Sequence, residues 1–153
     1  MPDCLMIRKE EPNELVKRVT SATLKAVAAE KELTVAFTPG QASATKESAV
    51  LPTPVGAVDL GALKKLRGVS DALALRLRYH DQDVHREHMP SGPEARAVYE
   101  AIEQVRCESL GTRRFSGIAE NIGALLDEQC KAKGFGAVTE KNDAMRALGL
   151  LPN

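Results

Sequence analysis

Pro12 and Asn13 precede a segment in which Leu15, Val19, Ala22 and Ala26 recur at four-three-four spacing, the repeat that lines one helix face. A helix is predicted over about 13–30. The pattern then changes period. Leu33-Thr34-Val35-Ala36-Phe37 alternates β-branched and aromatic residues as a strand does, and Pro39-Gly40 closes it. Residues 40–58 are rich in Ser, Thr, Ala and Pro, and Pro52 and Pro54 forbid a regular helix. Within that loop, Ala49-Val50-Leu51 is the one run suited to pair with the first strand as a small edge ladder.

Asp59 suits the N-cap of a second helix. Leu63, Leu66, Val69 or Ser70, Leu73 and Leu77 mark its apolar face, which at the same period reaches His80 and Val84 before Pro90 and Gly92 break it. Ser91-Gly92-Pro93-Glu94 reads as a capping box opening a third helix, with Ala95, Val98, Ile102 and Val105 on one face, Tyr99 widening it, and Gly111 interrupting. A fourth helix carries Phe115, Ile118, Ile122 and Leu125, and Lys131, Lys133 and Gly134 form its stop signal. A short last helix is predicted over roughly 140–148. The sum is a mainly α protein, a compact bundle of about four to five helices with one small β-pair. It divides into an N-terminal tail (1–12), a helical domain (13–134) and a C-terminal extension (135–153).

Composition narrows the function classes. The 21 basic and 21 acidic residues cancel, so charge gives no case for nucleic acid or an anionic membrane surface. Three Phe, two Tyr and no Trp leave the core to aliphatic side chains and offer little for base stacking. Cys4, Cys107 and Cys130 form neither a disulfide framework nor a zinc-finger spacing, which implies reduced thiols and a cytoplasmic protein. The apolar patch Cys4 to Ile7 is far shorter than a signal-peptide core or a membrane span.

The sequence contains no P-loop, no GxGxxG, no GxSxG and no HExxH, and it lacks the Asp-x-Ser-x-Ser that opens a metal-dependent adhesion site. Two clusters remain. The first is His80-Asp81-Gln82-Asp83-Val84-His85-Arg86-Glu87-His88, which holds all three histidines. Imidazole and carboxylate suit zinc, cobalt, nickel or iron(II). A continuous helix would set Asp81 and His85 one turn apart and turn His80 onto the apolar stripe, so only a break near 81–83 could aim all three histidines at one ion. The plain alternative is a packed His80 at a helix end followed by a solvated segment. The second cluster is Glu100, Glu103, Arg106, Glu108, Arg113 and Arg114. It reads either as an interhelical ion-pair network or as a source of an arginine that reaches a partner's nucleotide. The cysteines are assigned to packing.

Several stretches resemble one family. Ala95-Arg96-Ala97-Val98-Tyr99-Glu100 through Glu103-Gln104-Val105-Arg106-Cys107-Glu108 and on to Gly111-Thr112-Arg113-Arg114 is similar to a stretch of the CobT subunit of aerobic, ATP-dependent cobaltochelatase. So are Gly117-Ile118-Ala119-Glu120-Asn121-Ile122, Asp71 to Leu77 with His80-Asp81 and His85, Val35-Ala36-Phe37, and Leu51-Pro52-Thr53-Pro54. The similarity spans about 15–133, and His88 falls outside it. The resemblance implies a part in Co²⁺ insertion into hydrogenobyrinic acid a,c-diamide on the route to cobalamin. It implies two partners, an AAA+ ATPase subunit (CobS-like) and a large CobN-like subunit, and oligomeric assembly with them. ATP, Mg and cobalt belong to the complex, with no cofactor expected in this chain and neither nucleic acid nor membrane as partner. Glu103, Gln104, Arg106, Glu108, Arg113 and Arg114 become family-motif positions for partner contact, and His80, Asp81 and His85 the metal candidates.

CobT proteins continue into an acidic linker and a von Willebrand A-type domain, which these 153 residues do not contain. A fragment, a separately encoded N-terminal piece or a specialised short relative is therefore expected, not catalytic alone. Two alternatives stand beside a chelatase assembly module: a small cobalt- or zinc-binding protein using 80–88, and a free-standing helical interaction protein.

Overall fold

The computed structural model describes residues 10–57, 59–132 and 134. The short helix predicted over 140–148 and the apolar patch at 4–7 lie outside them. Helix α1 spans Pro12–Ala28, with Pro12 in the first turn, where its missing N–H costs nothing. It ends at Ala29 in the left-handed conformation, φ 62°, where the amides of Ala29 and Glu30 bond back to Ala26 and Lys25.

The face α1 buries is not the predicted one. Val16, Thr20, Leu24 and Val27 turn inward, while Leu15 and Val19 lie outward. Both sets have helical spacing, and the larger Leu24 and Val27 decide which side meets the core.

Strand β1 (Thr34–Thr38), β2 (Ser43–Ala44) and β3 (Ser48–Pro52) form a sheet in the order β1-β3-β2, with β1 parallel and β2 antiparallel to β3. The expected pair exists, Ala36 opposite Val50 and Phe37 opposite Leu51. β3 is the central strand and not an edge, because β2 covers its other side. Thr45 Oγ1 accepts from the amides of Glu47 and Ser48 and makes the tight return into β3.

Helix α2 (Leu60–Tyr79) is the axis of the domain, packed by α1, by the sheet and by the last two helices. Asp59 caps it, its carboxylate accepting from Ala62 N at 2.7 Å. Helix α2 stops at Tyr79. His80 and Asp81 are extended, and the six-residue α3 (Gln82–Glu87) follows, so the helix predicted to continue through Val84 ends before the stripe position His80. Helix α4 (Pro93–Arg114) and α5 (Ser116–Ala132) complete the described chain. The predicted capping box does not form: Gly92 occupies the N-cap, and no side chain caps α4. Nor does Gly111 interrupt. It lies buried inside α4, where a Cβ would overlap the side chain of Leu75, so its role is the close approach of α4 to α2.

The core joins Leu24, Val27 and Ala28 of α1, Leu33, Ala49 and Leu51 at the sheet, Leu66, Ala74 and Leu75 of α2, and Ile118 of α5. Of the stripe predicted for the last helix, Ile118 is in this cluster, and Ile122 and Phe115, the residue just before α5, pack against it. At the α2–α5 contact the fully buried Asp71 accepts from Asn121 Nδ2 at 2.8 Å, with burial pushing its carboxyl above the ordinary range. Two of the family-like stretches meet there. No helix among the described residues is long and apolar enough to cross a membrane.

Candidate functional site

Helix α4 is inverted relative to the simple amphipathic reading. Its inward side carries Glu100, Glu103, Gln104, Cys107 and Gly111. Its apolar stripe faces out: Val98, Ile102 and Val105 are 37%, 62% and 60% exposed. A polar face can be buried only if its groups find partners, and here the end of α2 and the α3 segment supply them.

Arg76, on the last turns of α2, donates to Glu100 Oε2 at 2.7 Å. Gln104 donates to Glu108 at 2.7 Å. The extended pair His80–Asp81 reverses the chain so that His85 comes back beside His80, ring centroids 4.6 Å apart and edge to face. Because a carboxylate only accepts, the contacts at 2.8 Å place N–H on Nδ1 of His80, donating to Glu103, and on Nε2 of His85, donating to Glu100. Tyr99 stacks on His85, centroids 4.7 Å apart.

Glu103 is the hub. Besides His80 it accepts from Arg106 Nε at 2.7 Å and Nη2 at 2.8 Å, a fork on the same carboxylate, and Arg106 also donates to the Tyr79 carbonyl. The Arg106 guanidinium, more than His80, holds the Glu103 carboxyl down at about 2, and the guanidinium is itself held above its ordinary range. Burial works against the Glu100 carboxylate, but hydrogen bonds from His85 and Arg76 outweigh it and keep its pKa low. Cys107 is fully buried, and that burial, aided by the nearby Glu103 charge, pushes its thiol up to about 11. Cys107 is thus a packed thiol, as expected, although its sulfur does touch Arg106 at 3.8 Å.

The site residues predicted from sequence are therefore sorted by the fold. His80, His85, Glu103, Gln104 and Arg106 converge on one seam. Asp81 does not join them. It caps α3, accepting from the amides of Asp83 and Val84, which hold its carboxyl low, and its side chain is exposed. His88 bonds the Val84 carbonyl and is exposed. Glu108 lies at the seam's margin, and Arg113 and Arg114 stand exposed at the end of α4, Arg114 over the Phe115 ring. The partners that sequence reasoning did not assign are Arg76, Glu100 as acceptor for His85, and Tyr99 as its stacking surface. No spacing rule could join Arg76 to Glu100 across 24 positions.

Two clefts flank the seam. One, about 230 Å³, is bordered by Lys46, Arg76, His80, His85 and Glu100. The other, about 280 Å³, is bordered by Asp81, His85, Tyr99, Glu103 and Arg106. The nucleophile–base pairing of a hydrolase is not found among the described residues of the seam, since its one thiol is buried and held protonated.

A family model described as Cobalamin biosynthesis protein CobT matches residues 10–151. No solved structure matches the chain.

Proposed function

Since this chain belongs to the CobT family of cobalamin biosynthesis, with the role of a cobaltochelatase subunit, we propose that it serves that complex as a non-catalytic assembly module. In this reading an AAA+ subunit hydrolyses ATP and a large CobN-like subunit holds the corrin ring into which cobalt, the substrate ion, is inserted. The helical domain gives the ATPase a surface to bind and passes its rearrangement on.

The observation that carries the proposal is the outward apolar stripe of α4. Val98, Ile102 and Val105 lie on one face, and no element among the described residues covers it. Exposing such a row has a hydration cost that a partner surface removes. Arg113 and Arg114, exposed at the end of the same helix, can add charge-assisted contacts to an acidic rim. The inward seam fixes which side of α4 points out: with Glu103 and Glu100 tied to the histidines and Arg76, the helix cannot roll its apolar side inward without stripping those carboxylates of partners.

The test is co-purification with the AAA+ subunit. The double substitution Ile102→Asp/Val105→Asp, at exposed positions, should leave helical circular dichroism and the melting temperature nearly unchanged while weakening the complex at least tenfold. Complex formation equal to wild type would remove the stripe as the docking surface.

A further inference from the structure

The seam described above has a capacity that assembly does not use. His80, His85 and Glu103 each present one ligand atom, all within 4.8 Å of one another, and all three side chains are largely buried. We propose that these three residues form a binding site for one divalent transition-metal ion of the class that imidazole and carboxylate favour, such as Co²⁺ or Zn²⁺.

Two imidazoles and one carboxylate form the donor set found around such ions, whereas Mg²⁺ and Ca²⁺ prefer oxygen alone. Ligands about 2.0–2.1 Å from an ion stand about 3.0–3.4 Å apart. The His80 Nδ1–Glu103 Oε1 pair is already at 2.8 Å, and the separations to His85 need to close by less than about 2 Å. Closing that gap takes a shift of His80 and Glu103 toward the held His85 ring, and the His80 proton must leave Nδ1, for solvent or for Nε2, before that nitrogen can ligate.

The surroundings are also those of a ligand shell. Glu100 fixes the ring of His85 through Nε2, the kind of outer carboxylate that orients a metal-bound imidazole. Tyr99 supports the same ring by stacking. Arg106, forked on both oxygens of Glu103, has to give way to an ion there, and its half-exposed side chain has solvent to swing into. Three protein ligands leave further coordination positions open, and the cleft beside Tyr99, Glu103 and Arg106 gives a water or a passing ligand access to them.

The chain break at His80–Asp81 is what makes the site. It moves the expected third ligand, Asp81, into a capping role and brings Glu103 from α4 in its place. The inference stands apart from the assembly role, because ion binding and complex formation are read separately.

Titration of the full 153-residue chain with Co²⁺, followed by its visible absorption and by competition with Zn²⁺, tests it. One ion per chain is expected, with His80→Ala and His85→Ala each weakening binding at least tenfold and Asp81→Asn and His88→Ala changing it less than twofold. A measurement on the unaltered protein guards against misfolded variants: Zn²⁺ should shift the imidazole NMR signals of His80 and His85 and leave that of His88 in place. Absence of binding, binding that survives loss of His80 and His85, or a Zn²⁺ shift confined to His88 would each overturn the assignment.

Discussion

Gly68→Ala is expected to lower the unfolding free energy by about 2–3 kcal/mol, read as a fall in the urea midpoint with an unchanged slope. A Cβ at Gly68 would stand 2.5 Å from the backbone oxygen of Asn121 and 2.8 Å from the Cβ of Leu125. Those atoms are the body of α5 and not the tip of a flexible side chain, so the whole helix must retreat. Retreat stretches the bond from Asn121 to the buried Asp71, one turn further along α2. Against this, alanine gains about 1 kcal/mol of helix propensity over glycine. Overpacking wins because it acts through backbone. Gly123→Ala is the control: nothing lies within 4 Å of a Cβ there, so the propensity gain should appear alone, as a rise of up to about 1 kcal/mol.

Glu103→Gln should cost about 2 kcal/mol at pH 7, and the difference from wild type should disappear as pH falls toward 2. Glu103 titrates near 2 in the fold against an ordinary 4.5. A carboxyl whose pKa is lowered by folding contributes stability that is complete above its unfolded value and is lost as pH falls through the folded one. The window is therefore about 4.5 down to 2. The full displacement would correspond to about 3 kcal/mol, reduced here because Arg106, the main cause, is 47% exposed and partly screened by solvent. Glutamine keeps the shape and one acceptor oxygen but forfeits the charge on both Arg106 and His80 contacts. Chemical denaturation of both proteins between pH 7 and pH 2.5 reads the effect, and parallel curves would deny Glu103 its place as hub.

What could be read from sequence divides along a physical line. Features set by neighbours in the chain were legible: the cap at Asp59, the strand ended by Pro39-Gly40, the helix-free loop imposed by Pro52 and Pro54, and the α5 stripe from Phe115 to Leu125. The break before α3 was legible only as a condition, since His80 and His85 could share a centre only if the helix stopped. Periodicity also showed that α1 and α4 are amphipathic, but a period does not say which face the core takes. In α4 the inward face is polar because its partners, Arg76, His80 and His85, arrive from α2 and α3, far along the chain. In the same way Gly111 looked like a helix breaker until Leu75 stood opposite it. Asp81 looked like a ligand because helical spacing put it beside His85, and the fold uses it as a cap instead.

The inward polar seam and outward apolar stripe of α4 underlie both the proposed docking surface and the proposed cation site, and thiol accessibility tests that orientation most directly. In a protein carrying Cys4→Ser and Cys130→Ser, Cys107 is the sole thiol. Its pKa of about 11 against an ordinary 9.0 alone cuts the reactive thiolate about 100-fold, before burial slows access further. Adding Ile102→Cys should introduce one thiol that reacts with a maleimide at nearly the unfolded-chain rate, while Cys107 remains at least 100-fold slower. A slow introduced thiol beside a fast Cys107 would mean that α4 packs its apolar side inward, and the account would be wrong.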